Sequence, residues 1–201
     1  MGATERRERE KAAFREQVLD AARKIVLTHG FQALTMRKIA EAIEYAPGTI
    51  YLYFENRDAI AAELTQRGFE ELLRAFAPAT EIADPAERLK RIGELYVKFG
   101  LEHPETYRLI FMERYTSAVF DAKHDSGPGN QAFQFLIDAF DRLRAQGRLA
   151  TDATSTQLAD AFWCAVHGIV SLKLTCDGYP ETPTGDLQRV MQSVLFRGVL
   201  K

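Results

Sequence analysis

Cysteine is scarce: Cys164 and Cys176 are the only two in 201 residues. Two thiols cannot build the disulfide framework of a small secreted scaffold, so they are expected as reduced, buried thiols of a cytosolic protein. No apolar run approaches the length of a membrane span, and residues 1–13 are charged, which argues against a signal peptide and a membrane partner. The cytoplasm is the expected compartment. Period-two alternation of β-branched residues is nearly missing, whereas helical periodicity fills the chain, so the fold class is all-α. Neither sign of charge dominates, with a formal net charge of −2. Residues 1–57 hold ten Lys/Arg against eight Asp/Glu, and residues 58–201 hold sixteen against twenty. That asymmetry has the sign expected if the N-terminal part meets phosphate and the remainder does not.

Signs of catalysis are also wanting. No glycine-rich loop follows a strand, no serine or cysteine stands in a nucleophile context, and the carboxylates are spread over polar helix faces. No enzyme activity and no cofactor are expected. Cys164 with His167, and Asp121 with His124 and Asp125, are each half a metal site without a second pair of strong ligands, so no metal is expected.

What is present is concentrated in Phe31–Arg57, FQALTMRKIAEAIEYAPGTIYLYFENR. Thr35 suits the N-cap of a short helix, Met36–Ile43, whose apolar side is Met36, Ile39, Ala40 and Ile43. After Glu44-Tyr45-Ala46, Pro47 suits a first helical position, followed by Gly48-Thr49-Ile50-Tyr51-Leu52-Tyr53-Phe54. Two short helices joined by a three- or four-residue turn place the second in a major groove. Ile50 and Phe54 are expected inside, with Gly48, Thr49, Tyr51 and Tyr53 outside. Four large residues in a row, Tyr51 to Phe54, oblige at least two to be partly exposed. The bland reading is a helix-turn-helix inside a bundle that never meets DNA; the coincidence of exposed aromatics with Arg37, Lys38 and Arg57 favours DNA.

At Leu34-Thr35-Met36-Arg37-Lys38-Ile39-Ala40, Pro47-Gly48-Thr49-Ile50-Tyr51 and Phe54-Glu55-Asn56-Arg57 the chain resembles the TetR family of transcriptional repressors. The resemblance implies that Thr35 and Arg37 touch phosphates, that Pro47, Gly48 and Tyr51 lie near base edges, and that Thr49, Tyr53 and Arg57 hold the DNA backbone. Glu44-Tyr45-Ala46 stands where most members have Gly-Val-Ser. Glu44 is therefore a candidate for a left-handed conformation, at a cost of roughly 1 kcal/mol. Ala46 lacks a serine's cap, also worth roughly 1 kcal/mol.

Further helices are read at Arg9–His29 (closed by Gly30), Asn56–Phe76 (ending before Pro78), Asp84–Glu102, Glu105–Val119, Gln131–Gln146 (closed by Gly147), Thr154–Cys176 and Thr184–Gly198. Lys123–Asn130 reads as a loop. The tail Thr4–Lys11 is either a solvated helix extension or frayed end, or a minor-groove arm. Nine helices in this order resemble the TetR architecture along essentially the whole chain: a three-helix DNA-binding unit, residues 1–55, then a ligand-binding and dimerisation domain, residues 56–201.

The eighth helix contains Trp163-Cys164-Ala165-Val166-His167-Gly168, similar to the Trp-x-x-x-His-Gly signature of one regulatory subgroup. Trp163 and His167 share a helix face, either lining a ligand pocket or satisfying each other's neighbourhood in a helix crossing. Candidate pocket residues are Phe69, Leu73, Tyr96, Phe99, Tyr107, Phe111, Phe133, Phe135, Phe140, Trp163 and His167, implying a small hydrophobic or aromatic effector. The expected protein is a homodimeric repressor joined through helices eight and nine, burying Leu158, Phe162, Ile169, Leu172, Val190, Val194 and Leu195. It would bind a palindromic double-stranded operator and be released by effector. The alternative is a helical small-molecule-binding protein that has lost specific DNA binding.

Overall fold

The computed structural model of the chain describes residues 2–113 and 127–201. Among the described residues there are nine α-helices, one 3-10 turn and no strand. In chain order the helices are α1 (Ala3–His29), α2 (Met36–Ala42), α3 (Pro47–Ile50), α4 (Arg57–Thr80), α5 (Pro85–Glu102), α6 (Pro104–Phe111), α7 (Pro128–Ala145), α8 (Ser155–Thr175) and α9 (Thr184–Val199). The 3-10 turn, Phe31–Ala33, was not expected. Two compact units divide within α4, between Gly68 and Phe69. Unit 1 takes the residues up to Gly68 and α6 from Glu105 onward; unit 2 takes Phe69–Pro104 and α7 to α9.

Unit 1 is built on a core of Val18, Leu19, Ala22 and Val26 from α1, Leu34, Met36, Ile39 and Ala40 around α2, Ile50 and Phe54, and Ile60 and Leu64 from α4. Residues Thr4–Lys11 extend α1 as an exposed helix. Gly30 ends α1 with φ 75. Asn56 caps α4, its Oδ1 accepting from the Ala59 N–H at 2.9 Å. Two ion pairs hold α1 to α4. Arg67 makes a forked pair with Glu16 (2.7 and 2.9 Å), and its hydrogen bonds hold the Glu16 carboxyl below its usual range. Arg15 donates to Glu63 at 2.5 Å and to the Tyr53 carbonyl at 2.7 Å, and its guanidinium lies 4.2 Å from the centre of the Phe54 ring. Helix α6 joins this unit through Leu109 in the core. A Cβ at Gly68 would lie 2.6 Å from Ile110 Cγ2, so glycine permits that close approach of α6 to α4.

In unit 2, α5, α7 and α8 pack against one another and α9 packs on α8. Asp84 caps α5, accepting from the Ala86 and Glu87 N–H groups at 2.9 and 3.0 Å. Arg148, 2.6 Å from Asp84, together with those N–H groups lowers the Asp84 carboxyl below its ordinary pKa. Thr154 and Gln157 form a reciprocal capping box at the start of α8. Gly147 follows α7 with φ 65. The C-terminal end returns to Arg148–Ala150 through an antiparallel bridge between Leu149 and Leu200.

Several expectations are corrected. Helix α4 runs through Pro78 to Thr80, because proline in the last turn forfeits a single ladder bond while Ala79 remains buried. Pro128 to Asn130 form the first turn of α7, since a proline at the first helical position gives up an N–H that has no partner there anyway. The expected continuation to Val119, residues 123–126 of the expected loop, and Asp121, His124 and Asp125 lie outside the described residues. Cys164 and Cys176 are exposed: Cys164 lies on the side of α8 away from Phe162, Val166, Ile169 and Val170, and Cys176 is the C-cap beyond its last turn. Contrary to the sequence reading, Ser155–Thr175 is long and apolar enough for a membrane span by length and composition. Its apolar residues instead include the centre of unit 2.

Arg15→Met removes two charge-assisted bonds at a site about a third exposed. A fall of about 1–2 kcal/mol in unfolding free energy is expected from denaturant titration. Arg6→Met, whose pair with Glu10 lies in solvent, should stay near neutral.

Candidate nucleic-acid interface and regulatory site

Thr35 sits at the N-cap of α2, and its Oγ1 accepts from the Lys38 N–H at 3.1 Å. The hydroxyl hydrogen remains available to donate outward. Arg37 is strongly exposed and its Nε donates to Glu41 at 2.9 Å. An exposed pair of this kind is worth little, so a phosphate can replace the carboxylate at small cost.

The turn between α2 and α3 needs a left-handed residue, and Glu44 takes it with φ 60. The Tyr45 N–H then closes back on the Ala40 carbonyl at 3.0 Å. Ala46 makes no side-chain cap, and Pro47 opens α3 at the first helical position. The second helix is shorter than its sequence suggests. Beyond Ile50 the chain continues as a turn, with Leu52 N–H bonded to the Thr49 carbonyl and the Tyr53 and Phe54 N–H groups to that of Ile50.

Ile50 and Phe54 are buried as expected, at 0% and 3% exposure. Pro47, Gly48 and Tyr51 are exposed and Thr49 is half-buried. Tyr53, expected outside, is half-buried because its ring packs 4.5 Å from that of Phe14. Tyr45 meets Phe14 edge-on at 5.0 Å. Arg57 is oriented by Asp58 at 3.3 Å and by the Phe31 ring, 4.8 Å from its guanidinium carbon. Sequence reasoning anticipated partial exposure within Tyr51–Phe54 but did not single out Leu52, and it missed Arg15. Only tertiary packing reveals either.

In unit 2 the side chains of the Trp-x-x-x-His-Gly segment meet Tyr96 of α5. The Trp163 indole N–H donates to Tyr96 Oη at 3.1 Å, and Tyr96 Oη lies 3.0 Å from His167 Nδ1. The phenol oxygen accepts from the indole and shares one further hydrogen bond with Nδ1, whose direction follows the imidazole tautomer. Burial holds His167 below its ordinary pKa and so favours the neutral ring. Phe133 lies 5.8 Å from Trp163, centre to centre. Phe69, Tyr96, Phe99 and Phe140 are buried, while Leu73, Phe133, Phe135, Trp163 and His167 are half-buried. Tyr107 and Phe111 belong to unit 1, where their rings are 4.9 Å apart.

Two surface clefts contain none of these nominated side chains. One in unit 1, of about 450 Å³, lies along Val26–Gln32, Glu105, Arg108 and Glu113. One in unit 2, of about 590 Å³, is lined by Lys90, Arg189, Phe196 and Arg197 among others. Of the residues expected between subunits, Leu158, Phe162 and Ile169 are interior to the chain itself, at 6%, 0% and 5% exposure. They fill the contact of α8 with its neighbours in unit 2. Leu172, Val190 and Val194 are exposed, and a Cβ at Gly168 would meet nothing within 4 Å.

A capped short helix, a tight turn and a second short helix carrying exposed Pro47, Gly48 and Tyr51 define a helix-turn-helix regulator. The chain belongs to the TetR family of bacterial regulatory proteins: residues 18–64 match "Bacterial regulatory proteins, tetR family" and residues 89–195 match "Tetracyclin repressor-like, C-terminal domain". It is 28% identical over 148 residues to the HTH-type transcriptional repressor KstR of Rhodococcus jostii (strain RHA1), across 73% of this chain and 65% of that protein. The curated relatives it matches are covered over about a third to two-thirds of their own lengths. Among solved structures, a Rhodococcus sp. RHA1 protein of unknown function superposes with a TM-score of 0.78 at 19% identity, across 93% of this chain and 95% of that one. AibR in complex with isovaleryl coenzyme A and operator DNA gives 0.67 at 16% identity, across 90% and 97%. Both show a shared fold.

Glu44→Gly relieves the left-handed cost and should raise stability by about 1 kcal/mol; a lowered denaturation midpoint would contradict this account of the turn. Tyr96→Phe deprives the Trp163 indole of this acceptor and should cost about 1–2 kcal/mol, measured by the same titration alongside Trp163 fluorescence. An unchanged midpoint would show that the indole–phenol bond contributes nothing.

Proposed function

We propose that this protein is a ligand-responsive transcriptional repressor that binds a palindromic operator as a homodimer. The observation that carries the reading is the helix-turn-helix of α2 and α3, held on the core of unit 1 with Gly48 and Tyr51 open to solvent. In it, Thr35 and Arg37 meet phosphates, Pro47, Gly48 and Tyr51 approach base edges, and Thr49, Tyr53 and Arg57 hold the DNA backbone. The DNA-binding part is residues 1–55, and residues 56–201 bind effector and dimerise. Chromosomal DNA as a partner places the protein in the cytoplasm, and the repressor reading requires no catalytic step.

The subunit contact runs through α8 and α9, with Leu172, Val190 and Val194 as the exposed apolar groups and Gly168 permitting close helix approach. The effector is small and hydrophobic or aromatic, taken up by unit 2 near Phe69, Leu73, Tyr96, Phe99, Phe133, Trp163 and His167. That AibR was solved with both isovaleryl coenzyme A and operator DNA supports an effector-responsive reading. Helix α4 supplies residues to both units and is the covalent route for the response. Effector releases DNA only by its differential affinity for two conformers, and a coupling of roughly 1–3 kcal/mol weakens operator binding about 5- to 150-fold.

One feature favours the other reading, a helical small-molecule-binding protein without specific DNA binding: the acidic Glu44 in the turn, where its charge disfavours phosphate. Selection of bound duplexes from a random library, at moderate salt and without effector, separates the two. An enriched inverted repeat is expected. Failure to bind duplex DNA would sink the repressor and leave the small-molecule reading.

A further inference from the structure

Among its described residues, unit 1 exposes four large apolar side chains, Leu27, Tyr45, Tyr51 and Leu52, and three of them lie in the turn and recognition segment. Leu52 is the extreme case, 78% exposed. Tyr45 is supported edge-on by Phe14, and Tyr51 carries a hydroxyl that can hydrogen-bond. Leu52 has no polar side-chain atom. Its backbone N–H is already bonded to the Thr49 carbonyl at 3.2 Å, so what it offers is the isobutyl group. Nearby, Ile50 and Phe54 anchor the segment in the core, and Arg15 fixes the Tyr53 carbonyl. The leucine is thus presented from a braced backbone.

The major groove shows donors and acceptors at every base pair, and its one apolar landmark is the thymine 5-methyl group. A leucine in that groove cannot satisfy the edge of G, C or A by hydrogen bonding, and leaves those groups facing hydrocarbon. We propose that Leu52 is a specificity-determining residue that reads a thymine through its 5-methyl group in each operator half-site. This rests on the DNA-binding reading above and deepens it. Tyr51 and Gly48 then contribute the polar and close-approach parts of the same surface, and Leu52 requires thymine at one defined position.

Deoxyuridine differs from thymidine in this groove only by the missing methyl. The test uses the full-length protein and the selected operator, with each thymine of one half-site replaced by deoxyuridine in turn. Equilibrium affinity is measured for the native protein, Leu52→Ala and Leu52→Met. For the native protein, one position should lose about fourfold in affinity, the value of one buried methyl-sized group. Leu52→Ala should bind the thymine operator more weakly and show no further loss on uridine at that position, whereas Leu52→Met, with a similar reach, should retain the uridine penalty. A side chain this exposed contributes little to folding, and circular dichroism of both variants checks that point. A flat uridine scan on an operator that binds well would overturn the assignment and leave the repressor reading standing. An equal uridine penalty in native protein and Leu52→Ala would overturn it too, because the methyl would then be read by another residue. Absence of any selected operator would remove the repressor reading and this assignment together.

Discussion

A helix of four residues has no stability of its own, so the direction of Pro47–Ile50 is imposed from outside. Three restraints impose it. Ile50 and Phe54 are sunk in the core of unit 1. Arg15 of α1 grips the Tyr53 carbonyl, covers the Phe54 ring and is itself anchored by Glu63 of α4. The rings of Tyr45 and Tyr53 flank Phe14, also on α1. The restraints therefore originate in α1 and in the core it shares with α2 and α4, and the orientation of the reading surface is a property of that packing. This makes the left-handed Glu44 tolerable: a strain of about 1 kcal/mol is small beside the burial of Ile50 and Phe54 on the far side of the turn. It also gives α4 a direct hold on the recognition segment, because moving Glu63 moves the guanidinium that fixes Tyr53.

Much of the fold was legible because local chemistry decides it. Thr35, Asn56, Asp84 and Thr154 cap helices from their own side chains, Pro47 and Pro85 fit first turns, and Gly30 and Gly147 supply positive φ. Glu44 was legible for the same reason, since the turn needs a left-handed residue whatever occupies it. What failed to show in the sequence depends on partners distant along the chain. A proline signals a helix end, yet Pro78 is carried along by the buried Ala79 behind it. Sequence order places α6 with the regulatory helices, while Leu109 and the contact of Ile110 with Gly68 place it in unit 1. Periodicity marks a residue as apolar without saying which surface will cover it. Leu158, Phe162 and Ile169 serve their own chain, and Leu172, Val190 and Val194 do not, although all six follow the same pattern. Cys164 is exposed through that same ambiguity on α8, and Cys176 because the helix ends one residue before it.

The hydrogen-bonded set of Trp163, Tyr96 and His167 constrains how unit 2 can respond to a ligand. The indole donates to the phenol oxygen, and the phenol and the imidazole Nδ1 share the second hydrogen bond. Burial of the His167 ring disfavours its protonated form and holds this relay in a neutral state. A ligand inserted among these groups would have to replace bonds already made, and net gain from such an exchange is small. Affinity there would come from apolar contact and shape, with the polar relay acting as a fixed wall. The relay also ties α5 to α8, since Tyr96 belongs to the first and Trp163 and His167 to the second. The two readings of the Trp-x-x-x-His-Gly segment, structural and ligand-lining, are thereby compatible: a brace that sets the separation of α5 and α8 also sets the width of any space between them. An effector that fits that width leaves the brace intact, and one that does not must break it at the cost of buried polar groups left unpaired.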